Sequence, residues 1–182
     1  ANELFWASSE DGGRSWSDPK IIPMKIAGSA EAPGTICATR DGTWLAPYAP
    51  YHTFDPLLKV DRNQVVAMRS TDQGKTWEYH AMLRFEQTGS GGAEAWVVEL
   101  SDGRLLGTGW HIDHTPAQQK FANAYALSTD GGRSWKPTRS TGLFGNTTVL
   151  APLGDGSALF GFVQRGSDLA AISIANVRPT PD

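Results

Sequence analysis

Short apolar runs alternate along the chain with clusters of glycine, aspartate and serine, and no segment sustains an apolar period of 3.6 residues. Leu4-Phe5-Trp6-Ala7, Val65-Val66-Ala67-Met68 and Ala122-Asn123-Ala124-Tyr125-Ala126-Leu127 each lead into an octet of the form S-x-D-x-G-x-[ST]-W. The octets occupy residues 9–16, 70–77 and 128–135, about 60 residues apart. Interleaved with them are Asp41-Gly42, Asp102-Gly103 and Asp155-Gly156, each between two apolar runs. Asp-Gly in that setting predicts a tight hairpin, because both turn residues can take positive φ.

The repeating unit is therefore strand A, an Asp-Gly turn, strand B, a longer loop, strand C, the octet turn and strand D. Four antiparallel strands in about 60 residues, repeated, predict the blades of an all-β propeller. The chain opens in a C strand (residues 2–8) and closes in another (169–174), so it holds about three blades' worth of strands. Closed propellers have at least four blades. Residues 1–182 thus read as a single propeller segment, completed either by further polypeptide or by self-assembly.

The octet chemistry suits a turn. The Asp side chain can accept backbone N–H bonds, the Gly two residues on allows a left-handed backbone, and the closing Trp can pack between neighbouring sheets. Asp11, Asp72 and Asp130 are then turn staples, since equivalent positions spread round a ring cannot converge on one substrate.

Composition narrows the function classes. Hydrophobic residues make up 40 % and charged residues 19 %, and the formal net charge is −3 with no run of like charge. A nucleic-acid partner is not expected. No apolar stretch nears the roughly 20 residues of a membrane helix. The single cysteine, Cys37, excludes an internal disulfide. Seven tryptophans and 20 glycines fit repeated strands joined by tight turns.

Strand parity separates two faces. Octets and Asp-Gly turns share one, while B–C loops and the starts of A strands share the other, where binding residues are expected. The first B–C loop, residues 48–56 continuing to 61, offers Tyr48, Tyr51, His52, Asp55 and Asp61. The second, residues 110–116, offers Trp110, His111 and Asp113. The starts of A strands add Glu31, Glu94, Trp96 and Asn146, and Arg165 ends the third B strand. Aromatic rings stack on sugar faces and carboxylates serve as acid, base or nucleophile, so a terminal sugar of a glycan is the expected partner. His111 and His114 lack further metal-ligand spacing, so no metal or other cofactor is expected.

Three S-x-D-x-G-x-[ST]-W octets at this spacing resemble the Asp-box, or BNR repeat, of the sialidase superfamily. The resemblance covers essentially the whole chain and implies a six-bladed propeller whose boxes lie away from the active site. Residues 94–106, Glu-Ala-Trp-Val-Val-Glu-Leu-Ser-Asp-Gly-Arg-Leu-Leu, look like the bacterial sialidase segment in which a Glu precedes a V-x-E-L-x-D-G-x-L strand pair. It implies that Glu94 activates a nucleophilic Tyr belonging to a later blade, with an acid/base Asp (Asp55 or Asp61) on a B–C loop. The same pattern places a carboxylate-binding arginine where this chain has Trp110, which points to a different, neutral sugar. The implied activity is that of a retaining, sialidase-like exo-glycoside hydrolase in an extracellular or periplasmic setting. The alternative is a non-catalytic Asp-box propeller that binds glycan or protein through its aromatic rim.

Overall fold

The apolar runs are strands, and the middle ones are buried on both faces. The computed structural model describes residues 3–26, 30–50, 57, 59–115, 120–165 and 170–180. Among these there is no helix, and the strands form four antiparallel sheets. The first sheet pairs β1 (Leu4–Trp6) with β2 (Lys20–Ile22). In the second, β3 (Ala30–Glu31) and β4 (Cys37–Ala38) share one edge, followed by β5 (Trp44–Pro50), β6 (Gln64–Ser70) and β7 (Glu78–Arg84). The third runs β8 (Ser90–Glu99), β9 (Leu105–Asp113), β10 (Ala124–Ser128) and β11 (Arg139–Ser140). The fourth runs β12 (Asn146–Pro152), β13 (Ala158–Arg165) and β14 (Ala170–Val177). The A-B-C-D order expected from the repeats is thus present in the second and third sheets.

Each sheet shares an apolar core with the next. Leu4, Trp6 and Ile22 pack against Ala46, Tyr48, Val66 and Met68. Val65, Ala67, Met82 and Leu83 point the other way, onto Ala95, Val97, Leu105 and Ala126. Val98, Leu106 and Leu127 of the third sheet meet Leu150, Phe160 and Phe162 of the fourth. Alternation along β6 explains why its whole length is buried: Val65 and Ala67 serve one core, Val66 and Met68 the next. Burying each such aliphatic side chain contributes about 1.5–3 kcal/mol. The outward faces of the first and last sheets are also apolar, with Phe5 and Ile21 at one end and Val149, Leu159, Ile172 and Ile174 at the other exposed.

The octets are hydrogen-bonded turns of one design. In the third octet Ser128 Oγ donates to Asp130 at 2.8 Å and accepts from the Gly132 N–H. Asp130 accepts from the Ser134 N–H at 2.9 Å and from its hydroxyl at 2.6 Å. Asp11 and Asp72 make the same set. The aspartates are staples, as the sequence indicated.

These turns also join one sheet to the next. Arg69, 4 % exposed at the end of β6, donates to the Gly131 carbonyl at 2.8 Å. Arg40 reaches the Leu100 and Ser101 carbonyls in the next Asp-Gly turn. Gly74, at φ 79°, lies so close to Trp6 that a Cβ would meet its ring at 2.7 Å.

Strand extents correct two expectations. The residues read as the start of the second B–C loop, Trp110, His111 and Asp113, lie in β9, paired with β8 residues that begin at Ser90 rather than Glu94. Gly91 and Gly92 gave no apolar signal, yet they extend the ladder because a side chain there would strike Arg62, Val65 or Phe85. Tyr48, expected on the rim, is in β5 and fully buried between the first two sheets. Its burial holds the phenol up at about 12.

The staples have an acid signature. Burial raises the Asp130 pKa, but the bonds from Ser134, Ser128 and Arg133 outweigh it and hold the group at about 2. A carboxylate depressed in the folded state contributes stability above its unfolded pKa, and that contribution is lost as pH falls towards 2. Asp130→Ala is expected to lower stability at neutral pH by about 1 kcal/mol, given its solvent access. Its deficit relative to wild type should shrink between about pH 4 and pH 2. Thermal unfolding across that range checks this, and a deficit independent of pH would refute it.

Candidate functional site

β8, the first strand of the third sheet, packs against β12 of the fourth and against β5 and β4 of the second. The first strand of each of the last three sheets departs from regular pairing. In the second sheet the pairing jumps from Glu31↔Ala49 to Cys37↔Leu45. In the third it shifts between Ala93 and Trp96, and in the fourth between Asn146 and Thr148. Glu94 and Thr147, the residues inside the two bulges, have φ of 48° and 53°. A non-glycine residue there costs about 1–3 kcal/mol and persists only where its surroundings hold it.

The bulge brings Glu94 beside Glu31. Each has one carboxylate oxygen, Oε2, that is buried and has no hydrogen-bond partner. Burial pushes the Glu31 carboxyl up, the negative charge of Glu94 pushes it further, and the Glu94 N–H opposes both. Two half-buried carboxyls thus stand side by side, and burial together with the charge of Glu94 favours the protonated form of Glu31. Gly34 crosses over this point, where a Cβ would meet the Ala95 carbonyl at 2.8 Å and the Trp96 ring at 3.3 Å.

The other sequence-derived candidates separate. Thr108 bonds Thr148 of the fourth sheet, so Trp110, two residues on along β9, shares the face turned towards β12. It stands opposite Ala93, the neighbour of Glu94. His111 takes the opposite face, sandwiched between Phe85 and Phe121 at ring distances of 4.4 and 4.1 Å. That burial lowers its pKa to about 4. It lines a cavity of about 340 Å³ in the seam between the second and third sheets, with Arg84, Phe121 and Arg139. Asp113 accepts from the N–H and hydroxyl of Thr115 at 2.7 and 2.6 Å.

Asp61 is exposed and committed to Gln64 at 2.6 Å and Arg84 at 3.3 Å, on β6 and β7 rather than beside the first strands. Asn146 opens β12 next to the Thr147 bulge. Trp96 is half-buried against the core between the third and fourth sheets. Arg165 ends β13, its side chain outside the described residues. Tyr51, His52 and Asp55 also lie outside them.

Two residues that sequence reasoning did not single out belong to this site. Thr148 Oγ1 donates to the Glu94 carbonyl at 2.8 Å, and Thr108 Oγ1 donates to Thr148 at 3.2 Å. Only the polar Asn146-Thr147-Thr148 triplet opening an A strand could have signalled them. Among the described residues no group of three His, Cys, Asp or Glu is placed to hold a metal ion.

Sheets of this topology closed by these turns define a sialidase-like fold carrying the BNR/Asp-box repeat. The BNR/Asp-box repeat family matches residues 68–79. A sialidase from Micromonospora viridifaciens is 30% identical over 136 residues, covering 72% of this chain and 19% of that protein. The chain therefore spans about a fifth of that relative's length. Among solved structures, a protein of unknown function from Dyadobacter fermentans matches with a TM-score of 0.72 and 21% identity, over 98% of this chain and 52% of its own. The NanB sialidase of Streptococcus pneumoniae gives 0.61 at 18% identity, over 92% and 25%. A leech intramolecular trans-sialidase, solved with 2,7-anhydro-Neu5Ac, gives 0.54 at 19% identity, over 97% and 30%. No helix among the described residues is long and apolar enough to cross a membrane.

The carboxyl pair has a pH consequence opposite to that of the staples. Glu31 binds its proton more tightly folded than unfolded, so the stability this contributes is present at low pH and is lost as pH rises through its raised pKa. Glu31→Gln, which keeps the shape without the charge, is expected to raise the melting temperature at about pH 8 more than at about pH 4. Equal changes at both pH values, by scanning calorimetry, would refute the assignment.

Proposed function

We propose that this chain contributes the centre of a sialidase-like exo-glycoside hydrolase acting on terminal sugars of glycans. The reading rests on one observation: Glu94, the residue to which the family resemblance gives the activating role, stands beside Glu31 with a buried carboxylate oxygen that has no partner among the described residues. In the proposed retaining mechanism Glu94 accepts the proton of a nucleophilic hydroxyl as it attacks the anomeric carbon. An acid donates a proton to the departing glycosidic oxygen, and water later releases the sugar. Asp55 of the first B–C loop is the proposed acid/base, since the Asp61 carboxylate is engaged by Gln64 and Arg84. Glu31, its carboxyl pushed up by burial and by the Glu94 charge, stands beside Glu94.

Trp110 stands where the family has an arginine, and a bidentate guanidinium is the natural clamp for a sugar carboxylate. The proposed substrate in that subsite is therefore a neutral sugar, its face against the indole. Trp96, Asn146 and Arg165 are the further contacts proposed from the same rim. The apolar outward faces at Phe5, Ile21, Ile172 and Ile174 support a ring of six blades in which further sheets cover them. An extracellular or periplasmic setting accompanies this reading.

The test is hydrolysis of a panel of aryl glycosides, neutral sugars and a sialoside included, by the intact protein. Release of a neutral sugar is expected, with Glu94→Gln lowering kcat by about 100-fold or more. Release of no sugar at all would overturn the hydrolase reading and leave binding of glycan or protein through the aromatic rim. Full activity in Glu94→Gln would remove Glu94 from the mechanism alone.

A further inference from the structure

Two residues of β8, Glu94 and Ala95, oppose the single Gly109 of β9, so Glu94 has no cross-strand partner in its own sheet. Its peptide groups turn sideways instead. The N–H meets the Glu31 carboxyl in the second sheet, and the C=O accepts from Thr148 in the fourth. Thr148 is fully buried and is itself oriented by the hydroxyl of Thr108, which is 2 % exposed. Its own strand is bulged at the adjacent Thr147, and that is what lets β12 present a hydroxyl to the neighbouring sheet. One main-chain unit thus links three consecutive sheets at the point where the two carboxylates meet.

We propose that Thr148 is a positioning residue: by holding the Glu94 carbonyl from the adjacent sheet, it fixes the Glu94 side chain against Glu31. A left-handed φ at a residue with a side chain is not self-supporting. With the carbonyl unclasped, the strand can relax towards regular pairing, and relaxation by one residue sends the Glu94 side chain to the other face of the sheet. Thr148 touches neither substrate nor proton. It acts only through the geometry of Glu94, and the proposal rests on the hydrolase reading for its catalytic consequence but not for its structural one.

The experiment compares Thr148→Val, which keeps the shape and removes the hydroxyl, with Thr148→Ser, which keeps the hydroxyl, in the intact protein. Thr108→Val serves as a milder variant should Thr148→Val fail to fold. Three readouts are needed: melting temperature, carboxyl titration of Glu31 by ¹³C NMR, and kcat and KM on whichever glycoside is cleaved. The Glu31 titration is expected to shift in Thr148→Val, because the charge and the N–H of Glu94 both leave it. A kcat loss of about 10–100-fold with KM little changed should accompany it. Thr148→Ser should restore both, and Thr108→Val should show the same shifts in weaker form. An unchanged Glu31 titration in Thr148→Val would overturn the proposal, as would equal losses in the Val and Ser variants that follow melting temperature alone. Should no glycoside be cleaved, a titration shift in the Val variant that the Ser variant rescues still upholds the positioning role, while the hydrolase reading falls by itself.

Discussion

Burial on both faces governs this molecule. A sheet of four short strands cannot cover its own apolar surface, so each depends on its neighbours. β6 carries Val65, Val66, Ala67 and Met68 without a polar residue between them because it faces two cores in turn. The spacing of the sheets must then be set accurately, and the octet end sets it. Arg69 bonds to the next octet, Arg40 to the next Asp-Gly turn, and Gly74 leaves room for Trp6. One end is pinned by local turns that also act between sheets. Away from that end the first strands of the last three sheets depart from regular pairing.

What could be read from the chain follows the range of the interactions. The staples are legible because every bond of Asp130 is made within four residues of it. The Asp-Gly hairpins are legible for the same reason. Tyr48 is different: beside Pro50 and the aromatic loop it reads as rim, and only its packing against Leu4, Trp6 and Ile22, more than twenty residues away, makes it core. The extension of β8 to Ser90 is also silent, because Gly91 and Gly92 carry no hydrophobic pattern and are required by what presses on them. Glu94 was visible as a residue type in a family segment. Its bulge and its clasp by Thr148, 54 positions on, were not.

The two adjacent rim residues Trp110 and His111 show how a strand divides what a loop would keep together. Read as loop, both could reach one sugar. In β9 they face opposite sheets, Trp110 towards β12 and His111 into the seam with Phe85. His111 is thereby held neutral between two rings, remote in chemical role from the carboxyl pair, while Trp110 remains opposite Ala93 at the edge of the site.

The carboxyl pair and Trp110 constrain the ligand jointly. Burial and the negative charge of Glu94 raise the proton affinity of Glu31, although the Glu94 N–H opposes them. An anionic sugar seated against them would add a further negative charge, and like charges about 4 Å apart cost about 4 kcal/mol at an effective dielectric of 20. A guanidinium would cancel that cost, and where the family resemblance implies one this chain has the indole of Trp110, which cannot. An indole face beside the two carboxyls would instead offer the proposed neutral sugar a stacking surface and hydrogen-bond partners. On the proposed reading the indole at residue 110 and the pairing of Glu31 with Glu94 act together: without a cation there, the site favours a ligand that brings no charge of its own.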